Sequence, residues 1–189
     1  MRVIGGSAGG RRLSPPRDRA IRPTADRVKE ALFNILTGIV GSFDGHRVLD
    51  VFAGAGSLGI EALSRGARDA VFVDNSRDAV KLITHNLAEL GLSSRATVVA
   101  REALTALKSS ESRGDTFSLV FLDPPYTKGL TEKVLEYLAT SRLLADGAVV
   151  VAEVSSRETL PPAFGRLQVF DRRVYGDTAV LFLSFDGEG

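Results

Sequence analysis

The chain has no cysteine and only two histidines, His46 and His85, far apart in its 189 residues. Disulfides and thiolate metal sites are thereby excluded, and a histidine-built metal or general-base site is not expected. No apolar run reaches the ~18 residues that a membrane helix needs, and the Arg-containing N-terminus lacks the apolar segment of a secretory signal. The expectation is a cytoplasmic protein with no membrane partner. Hydrophobic residues at 44% and charged residues at 25% are globular values. The length supports one domain with a sizeable core and at most a small appendage.

The net charge of +1 conceals an asymmetry, +6 over residues 1–29 against −5 over the rest. A basic arm on a mildly acidic body points to an anionic partner met by the arm. Residues 2–13 suggest a short hairpin around a Gly-rich turn, and residues 14–22 a mobile loop. So few apolar residues are expected to leave the arm poorly ordered without its partner. Pro23-Thr24 then introduces a helix over 25–40, with Val28, Leu32, Ile35, Leu36 and Ile39 at helical spacing. Arg22, Arg27 and Lys29 stand at its start, where the helix dipole favours acids. With Arg11 and Arg12 they are the candidate anion contacts. The chain divides into an arm, 1–24, and a main domain, 25–189.

From Arg47 onward strand and helix patterns alternate. Strands are expected at 47–52, 70–74, 96–100, 117–122 and 148–153, and helices at 58–65, 77–90, 103–108 and 130–140. Such alternation means an α/β fold, a Rossmann-like parallel sheet covered on both faces. The end differs: the strand-like runs 167–174 and 178–185, joined by Tyr175-Gly176-Asp177, read as an antiparallel hairpin.

Gly54, Gly56 and Gly59 follow the first strand in a G-x-G-x-x-G pattern, and Asp74 lies 20 residues after Gly54 at the end of the second strand. This is a dinucleotide fingerprint, so an NAD-dependent oxidoreductase is one reading. S-adenosylmethionine is the other, since both ligands bring an adenosine to the sheet's carboxyl edge and want an acid on the ribose. Asp50, inside the strand before the glycines, favours the second: it could hold an ammonium and would repel a pyrophosphate. Glu102, just past the third strand, could accept from an adenine amino group. Phe52 and Asn75 complete the candidate cofactor set.

The fourth strand ends in Asp123-Pro124-Pro125-Tyr126. Proline stops the ladder and projects an acid, rigid carbonyls and a ring from the sheet edge. An exocyclic amine on a nucleobase is a poor nucleophile because its lone pair is delocalised into the ring. Acceptors for its hydrogens, the Asp123 carboxylate and the Pro124 carbonyl, would favour a pyramidal nitrogen, while Tyr126 stacks a flipped base. The same residues also make an ordinary turn.

Asp50, the glycine loop, Asp74 and the Asp-Pro-Pro-Tyr tip together resemble the class I S-adenosylmethionine-dependent methyltransferases that act on amino nitrogens. Three segments resemble, more narrowly, the bacterial small-subunit ribosomal RNA guanine-N2 methyltransferases of type D: residues 2–13, residues 22–36 with Arg22-Pro23-Thr24 and Arg27-Val28-Lys29-Glu30-Ala31-Leu32-Phe33-Asn34, and the Asp-Pro-Pro-Tyr block. The resemblance implies a seven-stranded sheet with its last strand antiparallel. It also implies S-adenosylmethionine as cofactor with no metal, and transfer to N2 of one guanine in the P-site hairpin loop of 16S ribosomal RNA. The partner would be the small subunit or a late assembly intermediate, met by a monomer. A DNA adenine-N6 or cytosine-N4 methyltransferase shares the tip but usually carries a target-recognition domain for which there is little room. A non-catalytic RNA-binding assembly factor is the rival of another class, although a pure binder has no use for an amine grip.

Overall fold

A computed structural model describes residues 1–16, 23–125 and 129–187. The expected alternation is there: α1 (Pro23–Val40), β1 (Arg47–Val51), α2 (Ser57–Ser64), β2 (Asp69–Asp74), α3 (Arg77–Leu90), β3 (Ala96–Ala100), α4 (Ala103–Ser112), β4 (Phe117–Leu122), α5 (Leu130–Thr140) and β5 (Leu144–Ser155). Three further strands follow, β6 (Ala163–Phe164), β7 (Leu167–Tyr175) and β8 (Thr178–Phe185). They form one sheet in the order β3-β2-β1-β4-β5-β8-β7-β6. The first five strands are parallel, and β8 inserts antiparallel between β5 and β7.

Alternate residues of each strand feed two apolar layers, which is why the strands read as continuous hydrophobic runs. Leu49, Val51, Val120 and Leu122 join Leu107 of α4 and Val134, Leu135 and Leu138 of α5. Val48, Leu119 and Phe121 join Leu32, Phe33 and Leu36 of α1, Ile60 and Leu63 of α2, and Ile83 and Leu87 of α3.

Two differences from the sequence reading have local causes. Helix α4 runs four residues past Lys108 to Ser112. Its serines weaken the intrinsic signal, but Glu111 accepts from Tyr137 Oη and from the Arg142 N–H, which ties the last turn to α5. The eighth strand, β6, is a two-residue pairing of Ala163 and Phe164 with Gln168 and Leu167, too short to show as a pattern.

The N-terminal residues depart more. Arg2 and Arg12 pair antiparallel, as a hairpin requires. The hairpin is not a loose arm, however: Val3, Ala8 and Leu13 are buried in the same layer as α1, α2 and α3. Five apolar residues in the first sixteen look negligible by composition, yet three of them, Val3, Ala8 and Leu13, are fully used. The rest of the expected mobile loop, residues 17–22, lies outside the described residues.

Candidate active site

Going out from β1, the chain turns through β2 and β3 on one side and returns by α4 to β4 on the other. The carboxyl ends of β1 and β4 therefore form the switch point at which open α/β sheets bind ligands. Val51 pairs with Leu122, and the Asp123 N–H points at the Val51 carbonyl at 3.4 Å, so the glycine loop and the Asp-Pro-Pro tip leave the sheet side by side.

The loop is tightly determined. Phe52 has φ 64°, a left-handed conformation that a bulky residue adopts only under constraint. Gly54 and Gly56 are also left-handed, at 58° and 77°, and the Gly56 N–H closes a turn on the Ala53 carbonyl at 2.7 Å. Asp74 braces this turn from β2, its carboxylate accepting from Gly54 N–H and Ser76 N–H, both at 2.9 Å. Asn75, next to it, is exposed. Gly59 serves packing: a Cβ there would lie 2.4 Å from the Phe72 ring. With α2 so close, the Gly59 N–H reaches the buried Asp50 carboxylate at 2.8 Å.

Asp50 is 2% exposed. Burial pushes its carboxyl up to about 8; the Gly59 N–H opposes this, and the negative charges of Asp123 and Asp74 add to it. Three carboxyl groups thus surround the glycine loop. Such a field suits a cationic ligand and opposes a pyrophosphate, so the loop fits S-adenosylmethionine, with a sulfonium and an ammonium, better than a dinucleotide.

A pH test follows. A raised carboxyl favours folding in its neutral form, so its contribution is complete below the unfolded aspartate range and is lost as pH rises toward about 8. The thermal midpoint of the ligand-free protein is expected to fall from pH 5.5 to 7.5 by more than that of Asp50→Asn. A cation bound at the loop would favour the charged form, so cofactor binding at pH 7 should release up to one proton. Calorimetry in buffers of different ionisation enthalpy reads that number, and Asp50→Asn should release none.

The structure places the remaining sequence candidates as follows. At the tip, Asp123 is half-buried, Pro124 buried and Pro125 exposed; Tyr126 lies outside the described residues. Glu102 is the N-cap of α4, its two oxygens accepting from Leu104 N–H, Thr105 N–H and the Thr105 hydroxyl. It is thus committed to the helix end rather than presented to an adenine, and these bonds hold its carboxyl below the usual range. Arg11, Arg12 and Arg27 are exposed, Arg11 donating to the Glu89 carbonyl; Arg22 lies outside the described residues.

Lys29 requires a correction. It is 5% exposed, with Nζ 2.6 Å from the Arg2 carbonyl, 3.1 Å from Ser57 Oγ and 3.3 Å from Glu61 Oε2. Its position three and four residues before Leu32 and Phe33 puts it on the buried stripe of α1, where it serves as an internal ion-pair partner and not as a phosphate contact. Its counterpart Glu61 is fully buried and also accepts from Ile4 N–H at 2.7 Å, Gly5 N–H at 2.8 Å and Arg65 Nε at 2.9 Å. The sequence reading missed Glu61 and the buried Asn86. Each is a polar residue inside an apolar helical stripe, the one signal that could have found them.

The family model described as Conserved hypothetical protein 95 matches residues 1–184. YlbH of Bacillus subtilis is 39% identical over 95% of this chain and 96% of its own. Ribosomal RNA small subunit methyltransferase D of Escherichia coli is 34% identical over 100% of this chain and 92% of its own. The chain belongs to the methyltransferase D family. A solved structure of yhhF from Escherichia coli superimposes with a TM-score of 0.86 at 34% identity, covering 100% of this chain and 99% of that one. The glycine loop, Asp74 and the Asp-Pro-Pro tip all lie within the matched residues, so the site described above belongs to the part shared with the methyltransferase D family. Among the described residues no helix is long and apolar enough to cross a membrane.

Proposed function

We propose that this protein transfers a methyl group from S-adenosylmethionine to the N2 amino group of a guanine in 16S ribosomal RNA, within the small subunit or a late assembly intermediate. The observation that carries this reading is the Asp123-Pro124 tip standing beside an acid-ringed glycine loop at the sheet's switch point. Membership of the methyltransferase D family supports ribosomal RNA as the substrate.

The cofactor is S-adenosylmethionine, which supplies an activated methyl group on a sulfonium. The chain's own residues do the rest. Asp74 offers lone pairs to ribose hydroxyls while bracing Gly54, and Asp50 offers negative charge beneath the loop. Asp123 and the Pro124 carbonyl accept the hydrogens of the exocyclic amine, which frees the nitrogen lone pair toward the methyl group. Tyr126 stacks the flipped base. Arg11, Arg12, Arg22 and Arg27 meet phosphates, and recognition is of a loop by its shape.

The deciding experiment uses labelled S-adenosylmethionine and undermethylated small subunits, with digestion to nucleosides. N2-methylguanosine is expected. Label on an adenine or cytosine amine would overturn the assignment of the base, and no label on the subunits would overturn the assignment of the substrate.

A further inference from the structure

Asn86 lies on the buried face of α3 beside Ile83, Leu87 and Leu90, and is 2% exposed. A side-chain amide there needs its hydrogen bonds met. Its Nδ2 donates to the Ala55 carbonyl at 3.0 Å and to the Ser14 carbonyl at 3.2 Å, and its Oδ1 accepts from Ser14 N–H at 2.9 Å. One side chain thus grips two distant backbone segments.

The Ala55 end matters for the loop. Ala55 stands between Gly54 and Gly56, both left-handed. The peptide unit that joins Ala55 to Gly56 can flip at reduced steric cost, because Gly56 has no Cβ and accepts φ of either sign. The unit between Ala55 and Gly56 is held on both edges, its N–H by the Ala53 carbonyl and its C=O by Asn86. The N–H four residues on, Gly59, could have reached that carbonyl had α2 begun earlier, but it is turned to Asp50. Asn86 is therefore the side chain that fixes which way this peptide faces. The Ser14 end fixes Asn86 in turn, and Ser14 directly follows the hairpin that packs on α2.

We propose that Asn86 is a positioning residue of the cofactor loop and that Ser14, at the end of the N-terminal hairpin, acts on the loop through it. The hairpin is then a working part of the cofactor site as well as a support for the basic residues. The inference rests on the glycine loop holding the cofactor and is independent of which base is methylated.

The test is titration of the RNA-free protein with S-adenosylhomocysteine, alongside thermal unfolding. Asn86→Ala and Asn86→Asp should each weaken binding about tenfold, since neither can donate to Ala55. Ser14→Pro removes the Ser14 N–H together with the hydroxyl, which has no partner among the described residues, while Leu13 before it stays paired with the Met1 carbonyl. It should weaken binding about threefold with Asn86 intact. Ser64→Ala is the control: it cuts two hairpin bonds, to Ala8 N–H and the Gly5 carbonyl, at the far end of α2. It should lower the unfolding midpoint while leaving affinity unchanged. The proposal is overturned if Asn86→Ala binds within twofold of the wild type, or if Ser64→Ala weakens binding as much as Ser14→Pro. If Asn86→Ala does not fold, the Ser14→Pro and Ser64→Ala comparison decides. Failure of the wild type to bind would instead remove the cofactor reading itself.

Discussion

Replacing Glu61 with alanine is expected to destabilise the protein by about 3–5 kcal/mol, the usual cost of removing one partner of a buried ion pair. Lys29 would be left charged and almost fully enclosed, and the Ile4 and Gly5 N–H groups would lose their acceptor. Burial already pushes the Lys29 ammonium below its ordinary range, opposed chiefly by Glu61. A chain of this size shifts its midpoint by about 2–4 °C per kcal/mol, so thermal unfolding reads the effect easily. Glu61→Gln, which keeps a carbonyl acceptor, should fall between. The double variant Lys29→Met/Glu61→Leu should recover part of the loss by removing both charges together, though not the part owed to the hairpin's N–H groups. A loss below about 1 kcal/mol in Glu61→Ala would mean that the hairpin docks by its apolar residues alone.

Asp123→Ala should reduce turnover by about 10²–10³-fold, the magnitude seen when one preorganised polar contact to a transition state is removed. Cofactor affinity should change less than turnover, because Asp123 stands at the end of β4 and reaches the loop through its charge near Asp50. The asymmetry follows from timing: the contacts that Asp123 makes to the amine strengthen as the nitrogen pyramidalises, so they lower the barrier more than they aid binding. A single-turnover rate near that of the wild type would refute the amine grip. Tyr126→Phe should be mild and Tyr126→Ala severe, by about 1–3 kcal/mol for a lost stacking contact. Equal losses would point to the hydroxyl instead.

The sheet and the location of its site were legible because both are written in local patterns. Gly54, Gly56 and Gly59 mark a turn that only particular backbone angles allow, and Asp123-Pro124-Pro125 ends a strand by removing its donors. Contacts made across the fold were not legible. Glu61 meets Ile4 and Gly5 across 57 and 56 residues, and no window of sequence contains both ends. Lys29 was misread for a related reason. Its charge near a helix start suggested an external anion, whereas its spacing from Leu32 and Phe33 placed it inside. Glu102 shows the reverse failure: its role is local, but glutamate is not among the usual N-cap residues, so the motif did not announce itself.

The order of strands also has a consequence for how the protein is made. β1 lies in the middle of the sheet, yet roughly seventy residues separate Val48 from its β4 partner Leu119. At ribosomal rates of about 5–20 residues per second, one edge of β1 waits about 4–14 s before its neighbour is synthesised. That edge, Val48 to Val51, carries unpaired backbone groups and the apolar side chains of Val48, Leu49 and Val51, the features of an aggregation template, with Asp50 as its one charged interruption. Newly made chains should therefore bind holdase chaperones most strongly when synthesis has passed β3 but not β4.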